Sequence, residues 1–290
     1  MDAAFNTYVM QTVHGMAYGL LLFLVASGFT LVFGLMNVLN IAHAAFYMLG
    51  AYLGYTIMFH GGSFWLSLLV APVMVGLLGI VIERFILRKA HRFGHLAEFL
   101  LTYGIFFILG QLVIIKWGSV PLSLTTPPIL AGTIPLLGTS YPVYRIFILL
   151  FSILVLLGLG LILVRTRTGI LIRAAVTDPD MVEALGTNTP ILFMGVFGGG
   201  AALAALAGVI AAPFISAYPA MGLDMLMDCF VIVVIAGFGS LLGTLIASLM
   251  IGEIQSFGVL WVPRFAIVFQ FMLMALVLII RPTGLFGEKQ

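Results

Sequence analysis

The sequence predicts an all-α, polytopic transmembrane helix bundle with discontinuous helices and an inverted repeat. Composition, a ladder of apolar runs and polar breaks within two of those runs predict it. Of 290 residues, 63% are hydrophobic and only 8% are charged, and mean hydropathy is +1.26. Soluble domains run near a quarter charged, so this chain belongs in a lipid bilayer. One domain, 1–290, is expected.

A span needs about 20 apolar residues to cross ~30 Å of hydrocarbon. Such runs lie at roughly 8–35, 44–60, 64–87, 97–116, 145–164, 190–215, 240–258 and 264–281. A shorter run, about 225–238, suits either a half-span or a ninth crossing, and nine is the favoured count. The first run carries Asp2 and no Lys or Arg before it. That is unlike a cleaved secretory signal, so it is read as a permanent span.

The twelve basic residues then sort by side. Arg84, Arg88, Lys89, Arg92, Arg165, Arg167, Arg173, Arg281 and Lys289 fall together if 225–238 crosses, leaving Lys116, Arg145 and Arg264 opposite. The positive-inside rule makes the larger group cytoplasmic, with the C-terminus inside and the N-terminus outside. The loop 117–144 would be external, and Pro121, Pro127, Pro128, Pro135 and Pro142 argue against continuous helix there.

The two ends of the chain share a layout. A helix rich in small residues leads to a polar break, a short segment ending in Gly, and two further spans. "GMAYGLLLFLVASGFTLVFG" runs to "MNVLNIAH"; "GVFGGGAALAALAGVIAAP" runs to "YPAMGLDM". An offset of five crossings would invert the copies, a common transporter plan. The expected division is a first repeat over about 8–116, the external loop, a linking span over about 145–164, a cytoplasmic segment 165–190, and a second repeat over about 190–281.

Polar groups within the runs mark candidate functional positions. In "NVLNIAHAAFYMLGAYLGY" (37–55), Asn37, Asn40, His43 and Tyr47 would share one helix face, opposite Val38, Leu39, Ile41 and Ala42. Unpaired polar groups in hydrocarbon cost several kcal/mol. The stripe therefore faces water, a substrate path or neighbouring helices, where a hydrogen bond contributes about 0.6–2 kcal/mol. Asn37 and Asn40 also suit capping of a restarted helix. Glu253 is an intramembrane carboxylate and a functional candidate on that ground, with Gln255 close by. Asp224 and Asp228 are expected near the outer surface and solvated, as are His91 and His95 in a basic loop. The stretch "GGGAALAALAGVIAA" reads as a close-packing surface.

The segment "RTRTGILIRAAVTDPDMVEALGTNTP" (165–190) predicts two short helices. Asp178 is an N-cap, Pro179 suits the first helical position, and Asp180 and Glu183 favour the positive end of the helix dipole. Gly186 is placed to end the helix. Met181, Val182 and Leu185 give it an apolar side. With three acids against Arg173 alone after residue 170, attraction to anionic lipid is poor and docking to a cytoplasmic partner is favoured.

Catalytic signatures are absent. The sequence has no G-x-x-x-x-G-K-S/T, no H-E-x-x-H and no G-x-S-x-G. Its single cysteine, Cys229, excludes an internal disulfide. The chain is expected to be no enzyme.

Four blocks in order, "GFTLVFGLMNVLNIAHAAFYMLGAYLG", "RAAVTDPDMVEALG", "AGFGSLLGTLIASLMIGEIQ" and "RPTGLFG", resemble LivH-type permeases of branched-chain amino acid ABC importers. One departure is Ala44, where that family usually has Gly after the His. The resemblance implies a bacterial cytoplasmic membrane protein paired with a LivM-type permease. Two cytoplasmic ATPase subunits, which bind ATP and Mg, and an external substrate-binding protein complete the assembly. It needs no cofactor in this chain and no nucleic acid. Arg173, Asp178, Pro179, Glu183 and Gly186 match the ATPase-coupling block. Asn37, Asn40, His43 and Tyr47 match the first broken-helix block, and Glu253 is kept with them as a pathway candidate. Relatives of the family also handle urea, short amides and aromatic acids. The competing class is an ion-coupled secondary transporter or channel, which would need deep coupling carboxylates.

Overall fold

The computed structural model describes residues 3–37, 39–136 and 139–287. Val38 and Lys289 of the sequence reading, with Asp2, lie outside them. Seven helices among these residues are long and apolar enough to cross a membrane. They include α1 (Ala3–Met36), α3 (Phe64–Ile82), α5 (His95–Trp117), α6 (Val143–Arg165), α9 (Thr189–Ile215) and α11 (Leu241–Trp261). The seventh is α12 (Ala266–Ile280) with the 3₁₀ turn Pro263–Phe265 before it. Two shorter helices follow the breaks, α2 (Ala42–Phe59) and α10 (Met221–Ala236). Three more are α4 (Arg88–Ala90), α7 (Arg167–Thr177) and α8 (Pro179–Ala184).

Helix α1 is 34 residues without a proline or a charge, so it reaches about 51 Å at 1.5 Å per residue. It is the centre of the bundle: 83% of its apolar window is buried, against 17% for α6 and α12, which face outward. The packing is reciprocal. Helix α1 lies along α11, and α9 lies along α3. The two long helices cross where Gly28 meets Gly200; a Cβ on Gly28 would come within 2.7 Å of the Gly200 carbonyl oxygen. Small residues set such approaches in membranes, where van der Waals contact holds helices together. The close-packing expectation for the Gly198–Ala212 stretch is met: Gly208 lies against the Tyr47 carbonyl and Ala205 against Gly50.

Helix α10 settles the ambiguous run. Ala217, before it, exchanges two backbone hydrogen bonds of 2.8 Å with Leu122 of the connecting loop. Beyond its other end, Gly239 lies against Gly34 at the end of α1, and Leu285 N–H donates to the Ile235 carbonyl. The segment thus passes from one end of the bundle to the other. Arg84, Arg88, Lys89, Arg92, Arg165, Arg167, Arg173 and Arg281 accordingly share an end, hereafter the basic end.

At the opposite end the proline-rich loop forms the turn Pro128–Leu130 and an antiparallel hairpin, β1 (Thr133–Leu136) with β2 (Thr139–Pro142). At the basic end α3 continues through a π-helical turn, Glu83–Leu87. Arg88 there bridges the buried Glu83 carboxylate (3.2 Å) and the Pro190 carbonyl at the start of α9 (2.9 Å). Of the nearby histidines, His95 is largely exposed, as the sequence suggested, and His91 is not. Both His91 and His95 face the buried carboxylate of Glu98, His91 in direct contact.

Candidate functional site

The first break joins α1 to α2. Asn37 ends α1 in the left-handed region, φ 51°, with its N–H on the Phe33 carbonyl at 2.8 Å. Asparagine tolerates that conformation and stops a helix there. It is exposed and sits outside the helix. The expected helical stripe of Asn37, Asn40, His43 and Tyr47 is therefore corrected, because helix resumes only at Ala42 and both Asn37 and Asn40 lie outside it. Neither asparagine side chain caps α2. Backbone groups freed by the break find Thr102 of α5. Its hydroxyl accepts from Ile41 N–H at 3.4 Å and lies 3.3 Å from the Leu39 carbonyl, with the Phe99 carbonyl of its own helix at 3.0 Å. Irregular backbone at membrane depth requires such partners.

Asn40, His43 and Tyr47 are each 1% exposed, and the His43 backbone N–H donates to the Asn40 carbonyl at 3.1 Å. His43 Nε2 is 2.9 Å from the Val25 carbonyl of α1. A carbonyl only accepts, so Nε2 carries the proton and Nδ1 presents a lone pair. That Nδ1 has no protein partner, nor do Asn40 Oδ1 and Nδ2 or the Tyr47 hydroxyl. Each of these four buried polar atoms costs about 1–3 kcal/mol if left dry. Such a set suits water or a polar solute. Ala44, in the first turn of α2, touches the first turn of α10: a Cβ on Gly222 would lie 3.2 Å from the Ala44 carbonyl.

The second break, residues 216–220, is ordered by different means. Ser216 is left-handed at φ 63°, and its hydroxyl is 3.1 Å from that of Ser123. Tyr218 donates to Asp224 at 2.7 Å. Asp228 departs from the solvated expectation. It is half-buried and accepts from Tyr18 and Gln270, both at 3.2 Å. Gln270 in turn accepts from Gln255 at 2.7 Å.

Glu253 lies apart from His43 along α1. Its carboxyl sits where Gly15 of α1 leaves room, 2.6 Å from where a Cβ would be. Val25, the contact of His43, is about 15 Å further along that helix. Glu253 Oε2 is buried without a partner. Nearby, a cavity of about 370 Å³ between α1, α6 and α11 is lined by Gln11, His14, Tyr18, Arg145, Gln255 and Ser256 together with apolar residues. A second cavity, about 890 Å³ between α6, α7 and α9, is apolar apart from Thr168, Thr187 and Asn188.

The basic-end segment folds as its sequence dictates. Asp178 caps α8, accepting Met181 N–H at 2.9 Å, and Pro179 occupies the first turn. Gly186 is left-handed at φ 88°. Its N–H donates to the Glu183 carbonyl at 2.9 Å, and Thr187 N–H donates to Val182 at 3.2 Å. That is the paired hydrogen bonding of a Schellman ending. Glu183 accepts from Thr189 at 2.9 Å, and Arg173 ties α7 back to the Leu163 carbonyl. The apolar side is divided. Val182 packs inward, while Met181 is 56% and Leu185 is 79% exposed.

Sequence reasoning missed Thr102, Tyr18, Gln270 and Arg145. A hydroxyl, an amide and a cation inside long apolar runs were the available signals; their partners lie 42 to 210 residues away for the pairs Thr102–Ile41, Tyr18–Asp228 and Gln270–Asp228.

Comparison with known proteins completes the description. The family described as "Branched-chain amino acid transport system / permease component" matches residues 11–280. The permease protein BraD of the high-affinity branched-chain amino acid transport system of Pseudomonas aeruginosa is 29% identical over 299 residues, covering 98% of this chain and 97% of that protein. The LivH permease protein of the corresponding Salmonella typhimurium system is 28% identical over 306 residues, covering 100% and 99%. The Escherichia coli LivH is 29% identical with the same coverage. No solved structure matches.

Proposed function

This chain belongs to the family of branched-chain amino acid transport permease components, and we propose that it is the membrane-spanning permease subunit of an ABC importer. It would move branched-chain amino acids or a related small polar solute inward by alternating access. The basic end would be cytoplasmic by the positive-inside rule, which puts the N-terminus outside in a bacterial cytoplasmic membrane. The observation that carries this is the buried set Asn40, His43 and Tyr47, orphaned polar atoms at a helix break where α2 and α10 meet.

Asn40, His43 and Tyr47 would line the path, with Asn37 at its basic-end rim and Glu253 near the opposite end. A neutral amide, imidazole and phenol can exchange hydrogen bonds with a zwitterion without trapping it by net charge. The reciprocal packing of α1 on α11 and α9 on α3 supports an inverted repeat, whose interface is the usual place for a transport path.

ATP and Mg would bind separate ATPase subunits, and α8 is the proposed contact. It is stiffened at both ends and shows Met181 and Leu185 outward, a surface suited to a groove on a protein partner. Arg173, Asp178, Pro179, Glu183 and Gly186 set its shape. A LivM-type permease and an external binding protein would complete the transporter.

Uptake into liposomes holding the complete set of subunits tests this. ATP inside the assembly should drive accumulation with no ion gradient. Uptake driven by a proton or sodium gradient without ATP would instead establish the ion-coupled reading.

A further inference from the structure

Resting on the transport reading above, we propose that the cavity between α1, α6 and α11 is the outer receiving site, and that Arg145 there takes the carboxylate of an aliphatic amino acid. Arg145 lies in the first turn of α6, at the end opposite the basic one. Its guanidinium meets His14 of α1, with Nη1 2.7 Å from Nε2, and stacks over Phe214 with its central carbon 4.8 Å from the ring centroid. His14 also lies 3.0 Å from the Tyr141 hydroxyl of β2. All three neighbours are neutral or weakly basic, and they fix the plane of the guanidinium. Among the described residues no carboxylate pairs with Arg145. Guanidinium carries five N–H donors in a fork that matches a carboxylate. His14 and the Tyr141 hydroxyl take part of that fork, and among the described residues no carboxylate takes the rest.

The walls suit the rest of such a molecule. Ala17, Leu21, Ile148 and Val259 offer an aliphatic surface, and Gln255 and Ser256 offer polar groups. A volume of about 370 Å³ lies in the range of small-ligand sites. Behind the wall, Tyr18 donates to Asp228. An acidic group thus stands one side chain beyond the cavity, toward Tyr47 and the first break. A zwitterion whose carboxylate is held at the outer Arg145 would turn its ammonium toward that acid. Urea or a simple amide would gain little from an uncompensated cation. The site therefore distinguishes amino acids from the neutral solutes that related permeases handle.

The test uses the complete transporter, with its ATPase subunits and binding protein, in liposomes. Arg145→Cys is expected to lower L-leucine uptake about tenfold or more, the loss of one charge-assisted hydrogen bond. The background is Cys229→Ser, which removes the native thiol. Aminoethyl methanethiosulfonate restores a cation at position 145 and should recover much of the uptake; the sulfonatoethyl reagent should not. L-leucine should slow the modification and urea should not. Equal uptake after both reagents overturns the proposal. So does protection by phosphatidylglycerol in the liposome with none from leucine, which would make Arg145 a lipid-headgroup contact. Ala17→Phe puts an aromatic ring into the cavity while leaving Arg145 in the chain. It should raise the leucine KM, with assembly checked by co-purification of the ATPase, and an unchanged KM also overturns the proposal. Wild-type assemblies that import no leucine on ATP would sink the transport reading itself, whereas ATP-driven leucine uptake untouched at Arg145 sinks only this site.

Discussion

Replacing Gly186 with Val isolates the role of the capped helix α8. The added Cβ would meet nothing within 4 Å, so a clash is not the issue. The cost is conformational. At φ 88° a β-branched residue is strained by about 1–3 kcal/mol. Relief by moving Gly186 out of that region breaks its 2.9 Å bond to Glu183 and the 3.2 Å bond from Thr187 to Val182. Each such bond contributes about 0.5–1.5 kcal/mol. Either way the native ending is disfavoured by about 1–3 kcal/mol, a shift of roughly 5- to 140-fold. A helix of six residues has no cooperative reserve to absorb it. The membrane helices share none of these bonds, so insertion and yield should be normal. Retention of the ATPase subunits, or substrate-stimulated ATP turnover, should fall at least severalfold. Gly186→Asn should recover much of it, because asparagine accepts the left-handed region. Wild-type co-purification and turnover in the Val variant would refute the reasoning. Equal damage from Asn and Val would show that side-chain size matters there and backbone conformation does not.

Three further outcomes are expected. Asn40→Leu should cut uptake several-fold while leaving assembly intact, measured by radiolabelled leucine transport beside co-purification; normal uptake would make the cluster packing alone. Gly208→Leu drives a side chain into the Tyr47 carbonyl and the Ala51 backbone of α2, so it should overpack by about 1–3 kcal/mol or more and reduce monodisperse yield in size-exclusion chromatography. Thr102→Val removes the hydroxyl that serves Ile41 and Leu39, and should lower the melting temperature by the equivalent of about 1–3 kcal/mol without changing the spans.

Hydropathy is a local property, so the spans and the sorting of basic residues were legible along the chain. Capping is local too. Asp178, Pro179 and Gly186 announced α8 to within a residue of its observed end. The short run near 225–238 was harder, since 16 residues of α10 fall below a full span. What the sequence hid was tertiary. Asn37 reads as a helix-facing residue until its left-handed backbone is seen. Asp228 reads as solvated because Tyr18 and Gln270 lie 210 and 42 residues away. Met181 and Val182 are neighbours, yet packing sends one outward and the other inward.

Accessibility at position 40 tests the central claim most directly. With Asn40→Cys in a Cys229→Ser background, a membrane-impermeant thiol reagent would be applied separately to each face of the reconstituted transporter, with and without trapped ATP. The account predicts modification from one face in the nucleotide-free state and from the other when ATP is trapped. A cysteine that no reagent reaches in either state would mean that Asn40, His43 and Tyr47 are sealed packing, and that no path runs through the break.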